Sequence, residues 1–250
     1  MPQHSGTDTL TAVFRRLIAA TGPISLMHYM GEANARYYAA KDPLGRAGDF
    51  ITAPEISQMF GELIGLWLAD IWTRAGQPTP VHYVELGPGR GTLAADALRA
   101  AARYGLVPHV HLVEASEALR MVQRTAVPQA QWHHDLSSVP TDGAVLIVGN
   151  EFLDALPVRQ LVKTADGWRE RMVIAEADRF ACAAGQQPMD AAVPELRRDA
   201  PPGTIVETCP GAAATIHEVS ARLRGQNRWP LCDPCPPSRA HRHHRASPRE

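Results

Sequence analysis

The sequence predicts an α/β fold: a mainly parallel, twisted sheet with helices on both faces, preceded by a helical lobe and carrying an antiparallel insertion. Three observations predict it. The apolar run Val81–Leu86 ends in Gly87-Pro88-Gly89-Arg90-Gly91 and passes into the Ala/Leu-rich pattern Thr92–Tyr104, the order strand, tight loop, helix. Further apolar runs, Val110–Glu114, Gln131–Leu136 and Ala144–Val148, each stop at or just before a polar or acidic group. Residues 158–184 then change to short runs of period two, RQLVKT, WRERMVIAEA and RFACAA, with Asp166-Gly167 as a hairpin turn. At 250 residues, with 45% hydrophobic and 20% charged content, the chain has the composition of a globular protein with a sizeable core.

Taken in order, residues 8–20 space Leu10, Val13, Phe14 and Leu17 three and four apart, which predicts a helix stopped by Thr21-Gly22-Pro23. Ser25–Tyr38 predicts a second helix with Leu26, Met27, Met30 and Ala33 on one face. Asp42–Pro54 is punctuated by Gly and Pro and reads as a loop. From Glu55 to Trp72, the spacing of Ile56, Met59, Phe60, Leu63, Ile64, Trp67, Leu68 and Ile71 predicts one long buried helix. Thr52 stands at its start, Pro54 near the first turn and Glu55 three residues after Thr52, as in a capping box. A helix over Ser116–Thr125 follows the second core strand, and beyond the insertion Thr204–Thr208 predicts a strand and Pro210–Leu223 a helix.

The glycine loop is where a ligand is expected. Glycines let the backbone turn sharply and bring main-chain N–H groups close to a bound group, and the helix behind adds donors and a partial positive charge. A dinucleotide fingerprint places its third glycine three positions after the second. Here Gly87, Gly89 and Gly91 alternate, with Glu85 ahead of them at the strand end. Glu114, at the end of the next strand, is a carboxylate that can accept both hydroxyls of a ribose. Asp135 ends the third strand, and its neighbours His133 and His134 lack a third ligand at convincing spacing for a metal.

Four stretches carry a family resemblance: GDFITAPEISQMFGE, VHYVELGPGRGTLA, NEFLDALPV at the end of the fourth strand, and ETCPGAAA. Together they resemble the MidA-like family of class I S-adenosyl-L-methionine (SAM) methyltransferases, which includes a mitochondrial complex I assembly factor that methylates arginine. The resemblance runs from about residue 10 to Gly225. It implies a helical lobe and cofactor-covering segment over 1–76, then a Rossmann-like core over 77–225 with the insertion at about 158–203. It implies that Glu85, Gly87, Pro88, Gly89, Gly91 and Thr92 hold SAM, that Thr52, Pro54 and Glu55 lie over it, and that Glu114 takes the ribose and Asp135 the adenine. Asn150, Glu151 and Asp154 would then face the transferred methyl. Asn150 can orient an incoming nitrogen through its amide oxygen, and Glu151 or Asp154 can attract a guanidinium. The implied activity is methylation of a protein arginine, on a subunit of respiratory NADH dehydrogenase. Two other readings remain open: an inactive assembly scaffold, and a nucleotide-binding oxidoreductase on the same loop.

The tail departs from the family pattern. NRWPLCDPCPPSRAHRHHRASPRE holds five prolines and no apolar periodicity, so a reading-frame change near Gln226, with loss of the C-terminal strands and a disordered 226–250, is expected. Cys232 and Cys235 with His241, His243 and His244 offer zinc-ligand types, yet no second folded pair supports a site and no metal is expected. Seven Arg lie beyond residue 221, so residues 1–221 carry 18 basic and 24 acidic groups, net −6, which argues against a nucleic-acid-binding surface. Four scattered cysteines, no leader pattern in MPQHSGTDTL and no bilayer-length apolar run lead to an expected cytoplasmic protein without a membrane span. Nothing in the sequence indicates an oligomeric state.

Overall fold

The computed structural model describes residues 9–40 and 52–225. Helix α1 (Leu10–Thr21), the two-residue strand β1 (Ile24–Ser25) and helix α2 (Leu26–Ala40) open the chain, and α3 (Ala53–Ile56) and α4 (Gln58–Arg74) follow. The core alternates as β2 (Val81–Leu86), α5 (Thr92–Ala102), β3 (His109–Val113), α6 (Glu117–Ala126), β4 (Gln131–His133) and β5 (Ala144–Gly149). Then come β6 (Arg159–Thr164), β7 (Gly167–Ala175), β8 (Phe180–Pro188), β9 (Ile205–Thr208) and α7 (Pro210–Gly225). Residue 8, the expected loop over 42–51 and the tail over 226–250, with its cysteines and histidines, lie outside the described residues.

Two sheets organise these elements. The core sheet runs β4-β3-β2-β5, and all its pairings are parallel. β2 has a partner on each edge and all six of its residues are buried, which is why its sequence is mainly apolar without alternation, His82 and Glu85 being its two buried polar groups. On one face Val81, Tyr83, Leu112 and Val148 pack with Leu68 of α4 and Leu93, Ala94 and Ala101 of α5. On the other, Val84, Leu86 and Ile147 pack with Leu136, Val139 and Val219 of α7. From β2 the chain builds outward through β3 and β4, then returns to place β5 on β2's other edge. That reversal opens a crevice at the carboxyl ends of β2 and β5, where α/β proteins bind ligands.

The second sheet is antiparallel, ordered β1-β7-β6-β9, with β8 also paired to β7. The expected insertion therefore recruits β1 from the N-terminal segment, and Phe14, Ile18 and Ile24 pack against Val173 to hold α1 and α2 to it. Its first hairpin turns one residue earlier than expected. Thr164 pairs with Gly167, so the loop is Ala165-Asp166, and Gly167, at φ 110°, starts the returning strand in a conformation that favours glycine.

The long helix expected over Glu55–Trp72 is two helices. Ser57 breaks it in an extended conformation, φ −148° and ψ 122°, and its side chain caps α4 by accepting from the Met59 N–H. The buried face also differs: Ile56, Met59 and Leu63 are 73%, 65% and 56% exposed, whereas Gly61, Gly65, Leu68 and Ala69 are buried. Two glycines cause this. A Cβ on Gly65 would stand 2.1 Å from the Ala97 carbonyl oxygen, and one on Gly61 2.6 Å from Asp96 Cβ. α4 therefore meets α5 backbone to backbone, and the contact stripe follows the glycines, not the largest side chains.

Candidate functional site

The cleft at the carboxyl ends of β2 and β5 has a volume of about 770 Å³. Its lining brings together Thr52, Pro54, Glu55, Glu85, Gly87, Pro88, Gly89, Thr92, Glu114, Asn150, Glu151 and Asp154, all of the expected site residues except Gly91 and Asp135.

One wall is the glycine loop and the two acids beside it. Gly87, Gly89 and Gly91 have φ of 62°, 55° and 82°, so the alternate spacing in sequence is a left-handed backbone at every second residue. Gly87 N–H donates to Val113 O at 3.1 Å, tying the loop to β3. Gly91 heads α5 without a side-chain cap, which leaves the helix start to main-chain donors. Glu85 is buried beneath this loop, and the Tyr83 hydroxyl donates to its Oε2 at 2.6 Å. Burial pushes the Glu85 carboxyl up to about 7, opposed by that hydrogen bond, and drives the Tyr83 hydroxyl well above its ordinary range. Such an acid is easily ionised by a cation placed against it. Glu114 is also raised by burial, while Oε1 accepts from the Ser116 N–H at 2.8 Å.

Thr52 occupies the N-cap position of α3 but makes no side-chain cap bond, so the capping box is not formed. Glu55 instead accepts from the Thr92 hydroxyl at 2.5 Å, which joins the segment before α4 to the first residue of α5 across the cleft rim.

The opposite wall is the turn after β5. Glu151 holds φ 50°, an uncommon conformation for a residue with a side chain, and Glu151 and Asp154 are exposed. Phe152 points back at the loop: a Cβ on Gly87 would lie 2.7 Å from its ring. Asn34 of α2 donates to Ala155 O at 2.7 Å, and Met30 and Gly31 line the same side.

The third acid stands elsewhere. Asp135 does not line the cleft; its carboxylate accepts from the Ser137 N–H at 2.9 Å and the Ser137 hydroxyl at 2.5 Å, bonds that hold it below the usual carboxylate range. β4 ends at His133, two residues earlier than expected, and a 3-10 turn over Leu136–Ser138 takes Asp135 as its cap. His134 lines the cleft in its place. His133 is buried in a row across the sheet: His82 Nδ1 meets His111 Nε2 at 2.9 Å, and His111 Nδ1 meets His133 Nε2 at 2.9 Å. Burial pushes His111 down to about 4, with the neighbouring histidines adding to the effect. Sequence reasoning also missed Gln123 and Asn34, since each acts through a backbone carbonyl distant in sequence.

Comparison with known proteins decides the family. The model of a family described as S-adenosyl-L-methionine-dependent methyltransferases matches residues 63–234. The chain belongs to this family. A methyltransferase reading is accordingly preferred over the oxidoreductase. The rat "Protein arginine methyltransferase NDUFAF7, mitochondrial" is 36% identical over 87% of this chain and 58% of its own length. The human protein of that name is 36% identical over 86% and 57%. A Burkholderia thailandensis structure bound to S-adenosyl-homocysteine superposes with a TM-score of 0.70 at 30% identity, over 88% of this chain and 62% of that one. The chain thus spans about three fifths of the length of these relatives. The rat and human relatives are named as mitochondrial proteins, which overturns the expected cytoplasmic setting. Among the described residues no helix is long and apolar enough to cross a membrane.

Proposed function

We propose that this chain transfers the methyl group of SAM to an arginine side chain of a protein, and that the acceptor is a subunit of respiratory NADH dehydrogenase. The observation that carries the reading is the meeting of two walls in one cleft: the glycine loop with Glu85 and Glu114 on one side, and Asn150, Glu151 and Asp154 on the other. The relatives' names support arginine as the acceptor; the choice of an NADH dehydrogenase subunit rests on the family resemblance. When bound, SAM supplies a methyl already activated by the sulfonium, so the protein's task is alignment and exclusion of water. Glu85 pairs with the cofactor's ammonium, Glu114 accepts the ribose hydroxyls, and the loop N–H groups face the carboxylate. The Asn150 amide oxygen accepts an N–H of the guanidinium, aiming one nitrogen at the methyl. Glu151 and Asp154 hold the guanidinium charge, and either can take the proton released as the nitrogen is methylated. Phe152, Leu156 and Pro157 give the acceptor side an apolar lining that limits competing water.

The test is calorimetric titration with S-adenosyl-homocysteine beside Gly89→Val, followed by transfer of labelled methyl to NADH dehydrogenase subunits and analysis of the hydrolysate for methylarginine. Saturable binding lost in the variant is expected, with label recovered as methylarginine. Glu151→Ala and Asp154→Ala are expected to lower turnover at saturating SAM by roughly 10- to 100-fold in at least one case. If neither lowers it, the acid assignment fails. A folded, monodisperse protein that does not bind would favour an assembly scaffold.

A further inference from the structure

Gln123 lies in α6, outside the cleft lining, and is fully buried. A buried amide needs partners for its donors and acceptor, and those of Gln123 are two parts of the cofactor wall and one indole of β4, outside the cleft lining. Its Nε2 donates to Gly89 O at 2.7 Å, within the glycine loop. The same amide nitrogen faces Glu114 Oε2 at 3.5 Å, the acid after β3. Its Oε1 accepts from Trp132 Nε1 at 2.8 Å, on β4. The stem matters too: a Cβ on Gly91 would be 3.6 Å from Gln123 Cγ, so α6 is packed directly under the loop's last glycine.

We propose that Gln123 is a positioning residue for the cofactor, setting the glycine loop and the ribose-side carboxylate in one fixed geometry. The inference rests on the SAM reading of the cleft. Holding the Gly89 carbonyl toward α6 fixes the plane of the Gly89–Arg90 peptide, and in a trans peptide the Arg90 N–H then points to the opposite side of the loop. Left unheld, that peptide can turn and present its carbonyl oxygen to an anionic group of the ligand, which a N–H attracts and a carbonyl repels. At Glu114 the amide and the Ser116 N–H approach different carboxylate oxygens. The carboxyl plane is thus fixed before a ribose arrives. Both effects raise affinity and leave the acceptor wall untouched, so they belong to cofactor KM and not to turnover.

The experiment compares the whole chain with Gln123→Met, which nearly keeps volume and removes both bonds the amide donates, and with Trp132→Phe, which removes only the third partner. S-adenosyl-homocysteine Kd, SAM KM, kcat at saturating SAM and Tm are measured for each. Gln123→Met is expected to raise Kd and KM about tenfold or more, as for loss of a buried hydrogen bond to a functional loop, with kcat within about twofold. Trp132→Phe is expected to lower Tm with Kd within about threefold. Equal Kd in wild type and Gln123→Met, whatever the change in Tm, would overturn the proposal and leave Gln123 a packing residue. Should Gln123→Met not fold, Gln123→Glu decides: only its protonated form can donate to Gly89 O, so its Kd relative to wild type at the same pH should converge as pH falls. A ratio that does not move with pH counts against the proposal. Failure of the wild type itself to bind takes the cofactor reading and this proposal down together, whereas wild-type binding with an unaffected variant removes the proposal alone.

Discussion

On the cofactor wall the polar groups are held by neighbours, two of them fully buried: Tyr83 holds Glu85, Ser116 and Gln123 hold Glu114, and Gln123 holds the Gly89 carbonyl. On the acceptor wall Glu151 and Asp154 are exposed, and the turn that carries them is tethered through its backbone, by Asn34 to Ala155 O and by the weaker approach of Cys209 Sγ to Pro157 O at 3.6 Å. The difference matches what each wall would receive. A small cofactor that is the same in every turnover rewards preorganisation, because geometry fixed during folding need not be fixed again on binding. A side chain delivered by a large partner arrives with its own docking contacts, so the wall that meets it can stay open.

The largest expected effect comes from breaking the seam between the walls. Gly87→Ala combines a left-handed φ of 62° with a Cβ 2.7 Å from the Phe152 ring, which belongs to the other wall. Cofactor affinity is expected to fall on the order of 100-fold or more, by displacing both walls at once. Gly105→Ala is the control: its φ is 83°, yet a Cβ there meets nothing within 4 Å. It should cost about 1 kcal/mol of stability and leave S-adenosyl-homocysteine Kd unchanged in calorimetry. Equal loss of binding in both would mean that backbone strain alone, not the seam, governs the cleft.

The second effect sharpens the contrast through pH. Glu85 is protonated below its raised value of about 7, and only the ionised form pairs with an ammonium. Affinity for S-adenosyl-homocysteine should therefore be full above pH 7 and fall roughly tenfold per pH unit below it, a slope that Glu85→Gln abolishes at a uniformly weaker Kd. Tyr83→Phe removes the bond that lowers this value, so its midpoint should move up. The same raised value makes Glu85 favour folding below its unfolded range near 4.5, a contribution lost as pH rises through 7. His111, lowered to about 4, acts in the opposite sense: its contribution is present above 6.5 and is lost as pH falls toward 4. Binding and stability should consequently show different pH profiles. A binding profile that merely follows stability would count against the Glu85 pairing.

Much of the core was legible because its physics is local. All of β2 and the four central residues of β5 are buried, so their mainly apolar runs stand out, and three left-handed positions within five residues demand glycines. The exposed face of α4 was not legible, since periodicity ranks side chains by size and cannot show that Gly61 and Gly65 are the contact. β1 was missed for another reason: two residues carry no pattern, and their strand character exists only through pairing with β7. In the site, groups that touch the cleft from strand ends could be read from motifs. Gln123 and Asn34 could not, because a side chain that holds a carbonyl 34 or 121 positions away leaves no spacing to recognise.

A smaller effect tests the acceptor wall by itself. Asn34→Ala removes the hydrogen bond to Ala155 O and frees the turn that carries Glu151 and Asp154. kcat/KM for the protein acceptor should fall about three- to tenfold, on the order of one neutral hydrogen bond, with cofactor Kd unchanged. A weakened Kd would show that the walls are coupled through this turn, and the division between them would need to be redrawn.

The smallest effect separates two adjacent residues. Asp135 spends its carboxylate on the Ser137 N–H and hydroxyl, whereas His134 borders the cleft beside Glu114, Ala115 and Leu119. If cavity lining decides which of them meets the adenine, His134→Ala should weaken S-adenosyl-homocysteine and adenosine alike by about two- to fivefold, as for loss of one ring contact. Asp135→Ala should leave both affinities within about twofold and show only a small loss of Tm. The opposite pattern would mean that the 3-10 turn opens when cofactor binds and releases Asp135 to the adenine amino group. The cofactor wall would then be preorganised at its glycine loop and ribose acid but adaptable at its outer edge, a gradient along one wall in place of a contrast between two.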